Sequence, residues 1–89
     1  MNITVSNRDV ERCCGTCKIT MQDAEVIIDM VNETQENDMQ FFALLIQSHI
    51  KNHSVGHYLF CGFLIGIRTG EGNMYHNILL ANDPFNNEN

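Results

Sequence analysis

The residues best suited to chemistry in this 89-residue chain are its four cysteines and four histidines. Cys14 and Cys17 are separated by two residues, Gly15 and Thr16. Two thiolates at this spacing in a tight turn can bind one zinc ion, and backbone amides can support their sulfur atoms. This segment therefore offers two of the four ligands that a structural zinc site needs.

The remaining ligands of such a site have to come from later in the chain. Four candidates follow at intervals of four residues: His49, His53, His57 and Cys61. In a helix that begins near Ser54, His57 and Cys61 project from the same face. The zinc hypothesis therefore has the ligand set Cys14, Cys17, His57 and Cys61.

A single Cys-x-x-Cys pair without a second matching pair is weak support for zinc. We prefer a simpler interpretation, in which Cys61 is a small core residue and the thiols near residue 14 bind nothing. The histidines are then surface groups or hydrogen-bonded side chains. This interpretation expects no cofactor, and zinc is kept as the alternative.

Support for catalysis is weak. Cys14 or Cys17 could serve as a nucleophile with any of the histidines as its base, but the sequence context favours no particular pairing. Gly70 and Gly72 lack the lysine and the strand-to-helix context of a phosphate-binding loop. We therefore expect no enzymatic activity and assign no catalytic residue.

Most of the apolar residues that can form a core lie in residues 37–68. Apolar side chains in the first half of this segment recur at spacings of three and four, which predicts a helix. Asn37, followed by Gln40, is suited to cap its start, and Asn52 is suited to end it. Ser54 is suited to cap the next helix, and Gly70 is suited to stop it.

The second half of this segment contains an unbroken apolar and glycine run, residues 58–67, whose periodicity does not distinguish a helix from a strand. We favour a helix, because a strand that is apolar on both faces needs cover on both sides. The alternative is an α+β arrangement with a C-terminal hairpin that begins near Tyr58 and ends near Leu80. The run is too short to cross a bilayer, which requires about 20 residues.

The N-terminal part of the chain predicts two further helices. Ser6 or Asn7 is suited to cap a short helix over residues 8–13 that ends at Gly15. Thr20 with Asp23 predicts the start of a helix that runs from residue 21 to about residue 33.

The expected fold is therefore mainly α, a small bundle of three to four helices. Residues 1–89 are expected to form a single domain, with a flexible tail from about residue 82.

Acidic residues dominate the charge, which is formally −6 at pH 7. Glu25, Asp29 and Glu33 recur every four residues, so they share one stripe of the second predicted helix. The stripe is either a solvated outer face or a docking surface for a basic protein. We expect no binding to nucleic acid, because that affinity comes from basic side chains.

Self-association is expected because a chain of this size forms a thin core. Gly62 and Gly66 lie four residues apart, so in a helix they share a face that lets another backbone approach closely. We therefore predict a homo-oligomer interface at these two glycines.

The sequence by itself identifies no specific activity. The class of protein that fits best is a small acidic, intracellular, non-enzymatic binding protein, an inhibitor or adaptor that self-associates and binds another macromolecule. One alternative is a zinc-stabilised structural or regulatory module. Another is a sponge for a small ligand in a pocket at a subunit interface, with Arg68 or Lys51 as its anchor. No apolar segment follows Met1, so a cytoplasmic location without membrane contact is expected.

Overall fold

The computed structural model describes residues 6–70, and these residues form four α-helices. The helices are α1 (Asn7–Cys17), α2 (Met21–Asn32), α3 (Met39–His49) and α4 (Val55–Thr69). The prediction of a small helical bundle is confirmed. The alternative with a C-terminal hairpin is not supported, because residues 58–68, its first strand, are helical. The rest of that hairpin and the tail expected from about residue 82 lie outside the described residues.

Side-chain caps define where the first two helices begin, as the sequence predicted. Ser6 Oγ accepts a hydrogen bond from the amide of Asp9 at 3.1 Å, and Thr20 Oγ1 accepts one from the amide of Asp23 at 3.0 Å. Each cap satisfies an amide of the first turn that has no partner inside the helix. Ser54 precedes α4 as expected.

The start of α3 differs from the prediction by one residue. Asp38, not Asn37, is the cap, and its Oδ1 atom accepts from the amide of Gln40 at 3.0 Å. Both side chains are chemically suited to the position. Asn37 is instead used in a tertiary contact, because its Oδ1 atom accepts hydrogen bonds from Arg68.

Two predicted helix ends are wrong and one is confirmed. α1 continues through Gly15 and ends at Lys18, which adopts the left-handed conformation with φ 60°. The end of α3 is Ile50 in an extended conformation, so Asn52 does not end that helix. Gly70 ends α4 with φ 79°, where a residue without a Cβ atom is favoured.

α4 packs against α1, α2 and α3, and most of its residues are buried. Four of its side chains are at most 1% exposed: Phe60, Cys61, Leu64 and Ile65. They meet core residues of the surrounding helices, which include Ile27 on α2 and Phe42 on α3. A helix that is covered on several sides needs apolar residues around most of its circumference. This explains why the run of residues 58–67 lacks a clear amphipathic period.

Candidate functional site

The N-termini of α2 and α4 meet in a buried polar contact. His57 is 5% exposed, and its Nε2 atom lies 2.9 Å from Oδ2 of Asp23. Its Nδ1 atom accepts a hydrogen bond from the amide of Ser54 at 2.9 Å. Because an amide only donates, the ring proton must lie on Nε2, which therefore donates to Asp23. Both ring nitrogens of His57 are engaged within the chain.

Ser54, His57 and Asp23 are the residue types of a hydrolase triad, but their arrangement differs from one. Ser54 Oγ lies 3.2 Å from Nδ1 of His57, the same atom that accepts from the Ser54 amide at 2.9 Å. A general base needs a free lone pair that faces the nucleophile. Here the Ser54 amide occupies that lone pair, and the other ring nitrogen holds the start of α4 to Asp23 at the start of α2.

Sequence reasoning missed this contact, although a local signal for it exists. Asp23 lies three residues after the cap Thr20, and His57 lies three residues after the cap Ser54. Residues at this position face the first turn of their helix. The signal does not say that the two helix starts are neighbours, which is a matter of tertiary packing.

The three predicted cysteine ligands are all buried. Cys14 and Cys17 are 6% and 5% exposed on α1, and Cys61 is fully buried on α4. The Cys14 thiol is directed at the backbone oxygen of Thr20, with a distance of 3.9 Å between sulfur and oxygen. Burial, and then the neighbouring Cys17, raise the pKa of the Cys14 thiol. Burial raises the pKa of Cys61 to about 12.

Zinc binding by the predicted set stays a prediction, and it would require changes in these surroundings. A zinc ligand has to be a thiolate, so zinc would have to displace the thiol protons of Cys14 and Cys61, whose pKa values burial raises. His57 would have to give up one of its two hydrogen bonds to bind a metal ion. Within residues 6–70, no group of three or more His, Cys, Asp or Glu side chains is arranged to hold a metal ion.

The anchor considered for a small ligand, Arg68, is used inside the fold. Its Nη1 atom donates to the carbonyls of Val31 and Thr34 at 2.6 and 2.8 Å, and Nη2 donates to the carbonyl of Glu36. Nε and Nη2 also donate to Asn37 Oδ1 at 3.2 and 2.6 Å. A guanidinium has five N–H donors, so these five bonds use its full capacity. Arg68 fastens the end of α4 to the connection between α2 and α3.

The two glycines predicted to contact a second copy, Gly62 and Gly66, are both buried within the chain. Contact with another copy at this place stays a prediction. A close helix approach within the described residues lies at Gly56, where a Cβ atom would lie 1.9 Å from the carbonyl oxygen of Cys17. The end of α1 and the start of α4 are therefore in backbone contact.

The acidic stripe lies where the sequence placed it. Glu25, Asp29 and Glu33 are exposed, and we call these three residues the acidic face. Glu25 and Asp29 lie within α2, and Glu33 is its C-cap. Among residues 6–70 the carboxylates with a basic partner are Asp9, which pairs with Arg12, and Asp23, which accepts from His57, so none of the three carboxylates of the acidic face has one there.

Comparison of the chain with protein-family models, with curated proteins and with solved structures finds no match. None of the helices in residues 6–70 is long and apolar enough to cross a membrane.

Proposed function

We propose that this protein is a small non-enzymatic binding protein of the inhibitor or adaptor class, which docks a basic surface of another protein through the acidic face. The observation that carries this proposal is the exposure of Glu25, Asp29 and Glu33 without a cation near any of them in the described residues. Like charges at intervals of four residues destabilise a helix by a few tenths of a kcal/mol per pair. Lysine or arginine side chains of a partner would remove this repulsion.

Several other charged side chains support this proposal, because they have contacts within the fold that the acidic face lacks. Asp23 pairs with His57, and Asp38 caps α3, so these two acidic residues serve the fold. Arg68 is saturated by internal acceptors. The acidic face has no such internal role, and a row of exposed carboxylates steers a basic partner during encounter.

A basic helical peptide, rich in lysine and arginine, is a suitable first probe. We expect saturable binding to the wild-type chain, with an affinity that falls as salt is added, because salt screens exposed charges beyond about 8 to 10 Å. Reversal of the acidic face (Glu25→Lys, Asp29→Lys, Glu33→Lys) should abolish this binding, chiefly by slowing association. Stopped-flow fluorescence of a labelled peptide separates the association rate from the dissociation rate.

The matched control reverses three other exposed or half-exposed carboxylates: Asp9→Lys, Glu11→Lys and Glu36→Lys. Both triple variants have the same net charge, so a difference between them reports position and not total charge. We expect the control to retain most of the affinity. Equal losses in the two variants, or no saturable binding by the wild type, would contradict docking at the acidic face.

A further inference from the structure

α3 presents an exposed surface, of which one side chain, Gln47, also contacts the fold through a hydrogen bond of 3.5 Å from its Nε2 atom to the Tyr58 hydroxyl. Leu44 is 66% exposed and Phe41 is 37% exposed. The residues exposed with them on α3, apart from the terminal His49, are Gln40, Gln47 and Ser48. We call these five residues the α3 face: Gln40, Phe41, Leu44, Gln47 and Ser48. The helix Met39–His49 contains no Asp, Glu, Lys or Arg.

This lack of charge distinguishes the α3 face from the exposed faces of α1 and α2. α1 exposes Arg8, Glu11 and Arg12, and α2 exposes the acidic face. In a contact between two identical chains related by a two-fold axis, each surface meets a copy of itself. An acidic surface repels its own copy, and this chain has a formal charge of −6. An uncharged, partly apolar helix avoids that repulsion.

The charges next to the two ends of α3 are complementary to each other. Glu36 and Asp38 precede the helix, Lys51 follows it, and all three are exposed. Within residues 6–70 none of these three side chains forms an ion pair. If two copies of α3 pack antiparallel with Leu44 at the centre, the start of one helix lies beside the end of the other. In this register, Lys51 of the partner subunit lies opposite position 37, between Glu36 and Asp38.

We propose that the α3 face is a homodimer interface, on which a second copy of this chain packs its own α3 in antiparallel orientation about a two-fold axis at Leu44. Leu44 contacts the partner's Leu44, and Phe41 lies over the partner's Gln47. Gln40 lies opposite the partner's Ser48, where an amide and a hydroxyl can form a hydrogen bond. Two symmetry-related ion-pair clusters, each with Glu36, Asp38 and the partner's Lys51, close the ends. The helix dipoles are also antiparallel, which is the favourable arrangement.

The strength of this dimer follows from the size of the interface. α3 has 11 residues, so it is about 16 Å long. A pair of helices this short buries less than the roughly 1,200 Å² at which stable protein interfaces begin. We therefore expect a weak dimer, populated at tens to hundreds of micromolar chain and dissociated at lower concentration. This interface does not involve Gly62 and Gly66.

Sedimentation velocity of the full chain over a concentration series tests the proposal. The wild type should show a reversible monomer–dimer equilibrium. Leu44→Glu should weaken dimerisation by about a hundredfold, because each dimer loses two buried leucine contacts and gains two carboxylates at the axis. Ile67→Glu is the matched control, since Ile67 is 48% exposed on α4 and lies outside the α3 face. It should leave the dissociation constant within about twofold of the wild-type value.

A charge exchange tests the antiparallel orientation. Glu36→Lys and Lys51→Glu should each weaken the dimer by several-fold, and the double variant should recover most of the wild-type affinity. Recovery occurs only if the two residues meet across the interface. Circular dichroism checks that each variant is folded, which is expected because Glu36, Leu44 and Lys51 are exposed.

A cross-linking experiment gives a result that does not depend on a loss of affinity. Leu44→Cys should form a disulfide-linked dimer under mild oxidation, because the two copies of this residue meet at the axis. Ile67→Cys should not. A wild-type chain that stays monomeric at hundreds of micromolar would overturn the proposal. So would dissociation by Ile67→Glu but not by Leu44→Glu, or a charge exchange without recovery.

Discussion

Asp23 and His57 are 34 residues apart in the chain, yet their side chains meet at 2.9 Å, between Oδ2 and Nε2. Asp23 lies in the first turn of α2, and His57 lies in the first turn of α4. The pair therefore aligns the starts of two helices. It also orients the imidazole so that its other nitrogen supports the amide of Ser54.

Removal of the Asp23 carboxylate should destabilise the fold. Asp23→Ala leaves the buried Nε2–H donor of His57 without an acceptor, and an unsatisfied buried donor costs about 1 to 3 kcal/mol. Asp23→Asn retains a side-chain oxygen and should recover part of this loss. Urea denaturation followed by circular dichroism gives the free energies of unfolding. Asp29→Ala on the exposed side of the same helix is the control, and its effect should stay within about 0.5 kcal/mol. Equal effects at the two positions would contradict a stabilising role for the pair.

Two glycines in the helices should respond in opposite ways to alanine. A Cβ atom at Gly56 would lie 1.9 Å from the carbonyl oxygen of Cys17, so Gly56→Ala forces α1 and α4 apart. We expect a loss of about 3 kcal/mol or more in the free energy of unfolding. At Gly15 no heavy atom lies within 4 Å of the added Cβ, so Gly15→Ala should stabilise α1 by about 0.5 to 1 kcal/mol. Thermal melts of the two variants side by side check both signs. A tolerated Gly56→Ala would mean that the two helices are not in backbone contact.

Replacement of Arg68, even by lysine, should destabilise the fold. Arg68→Lys keeps the positive charge, but an ammonium group cannot reproduce the planar set of donors that contacts Val31, Thr34, Glu36 and Asn37. We expect Arg68→Lys and Arg68→Ala to destabilise by similar amounts, about 2 to 3 kcal/mol.

Amide hydrogen exchange checks where this destabilisation acts. The amides around residues 31–37 should exchange faster in both Arg68 variants than in the wild type. Arg12→Ala removes an exposed arginine whose carboxylate partner is 3.7 Å away, and it should change stability little. Full retention of stability in Arg68→Lys would show that charge alone is needed at this position.

The stability of the protein should fall at alkaline pH because of its buried thiols. Burial raises the pKa of Cys61 from its ordinary value of 9.0 to about 12. Between these two values the unfolded chain releases the thiol proton while the folded chain keeps it. The unfolded state then binds fewer protons, so the free energy of unfolding decreases as the pH rises above about 9. The decrease approaches about 1.4 kcal/mol per pH unit for one thiol.

Urea titrations at a series of pH values from neutral upward measure this slope. Burial raises the pKa values of Cys13 and Cys14 as well, so these thiols contribute in the same direction. Cys61→Ala should lower stability at neutral pH by opening a small cavity, and it should make the alkaline slope less steep. A slope that is unchanged in Cys61→Ala would contradict the assignment to this thiol.

Structural features whose signals lie within a few residues of one another could be predicted from the sequence. The caps Thr20 and Ser54 each precede an apolar segment, and Ser6 precedes a first turn with the acidic Asp9. The left-handed end at Gly70 needs only the missing Cβ atom. The acidic face could also be predicted from a local signal, since helical spacing alone places its residues on one stripe.

The packing of the helices determines which of several chemically suitable side chains forms a given cap or contact. Asn37 and Asp38 are both good caps, but Asp38 caps α3, whereas Asn37 accepts a hydrogen bond from Arg68, 31 residues away. His57 was suited to a metal ion by its spacing from Cys61, but the packing of α2 against α4 brings it to Asp23. Contacts between distant residues depend on how the helices pack. A single sequence contains no local signal for that packing, whereas capping and periodicity are local.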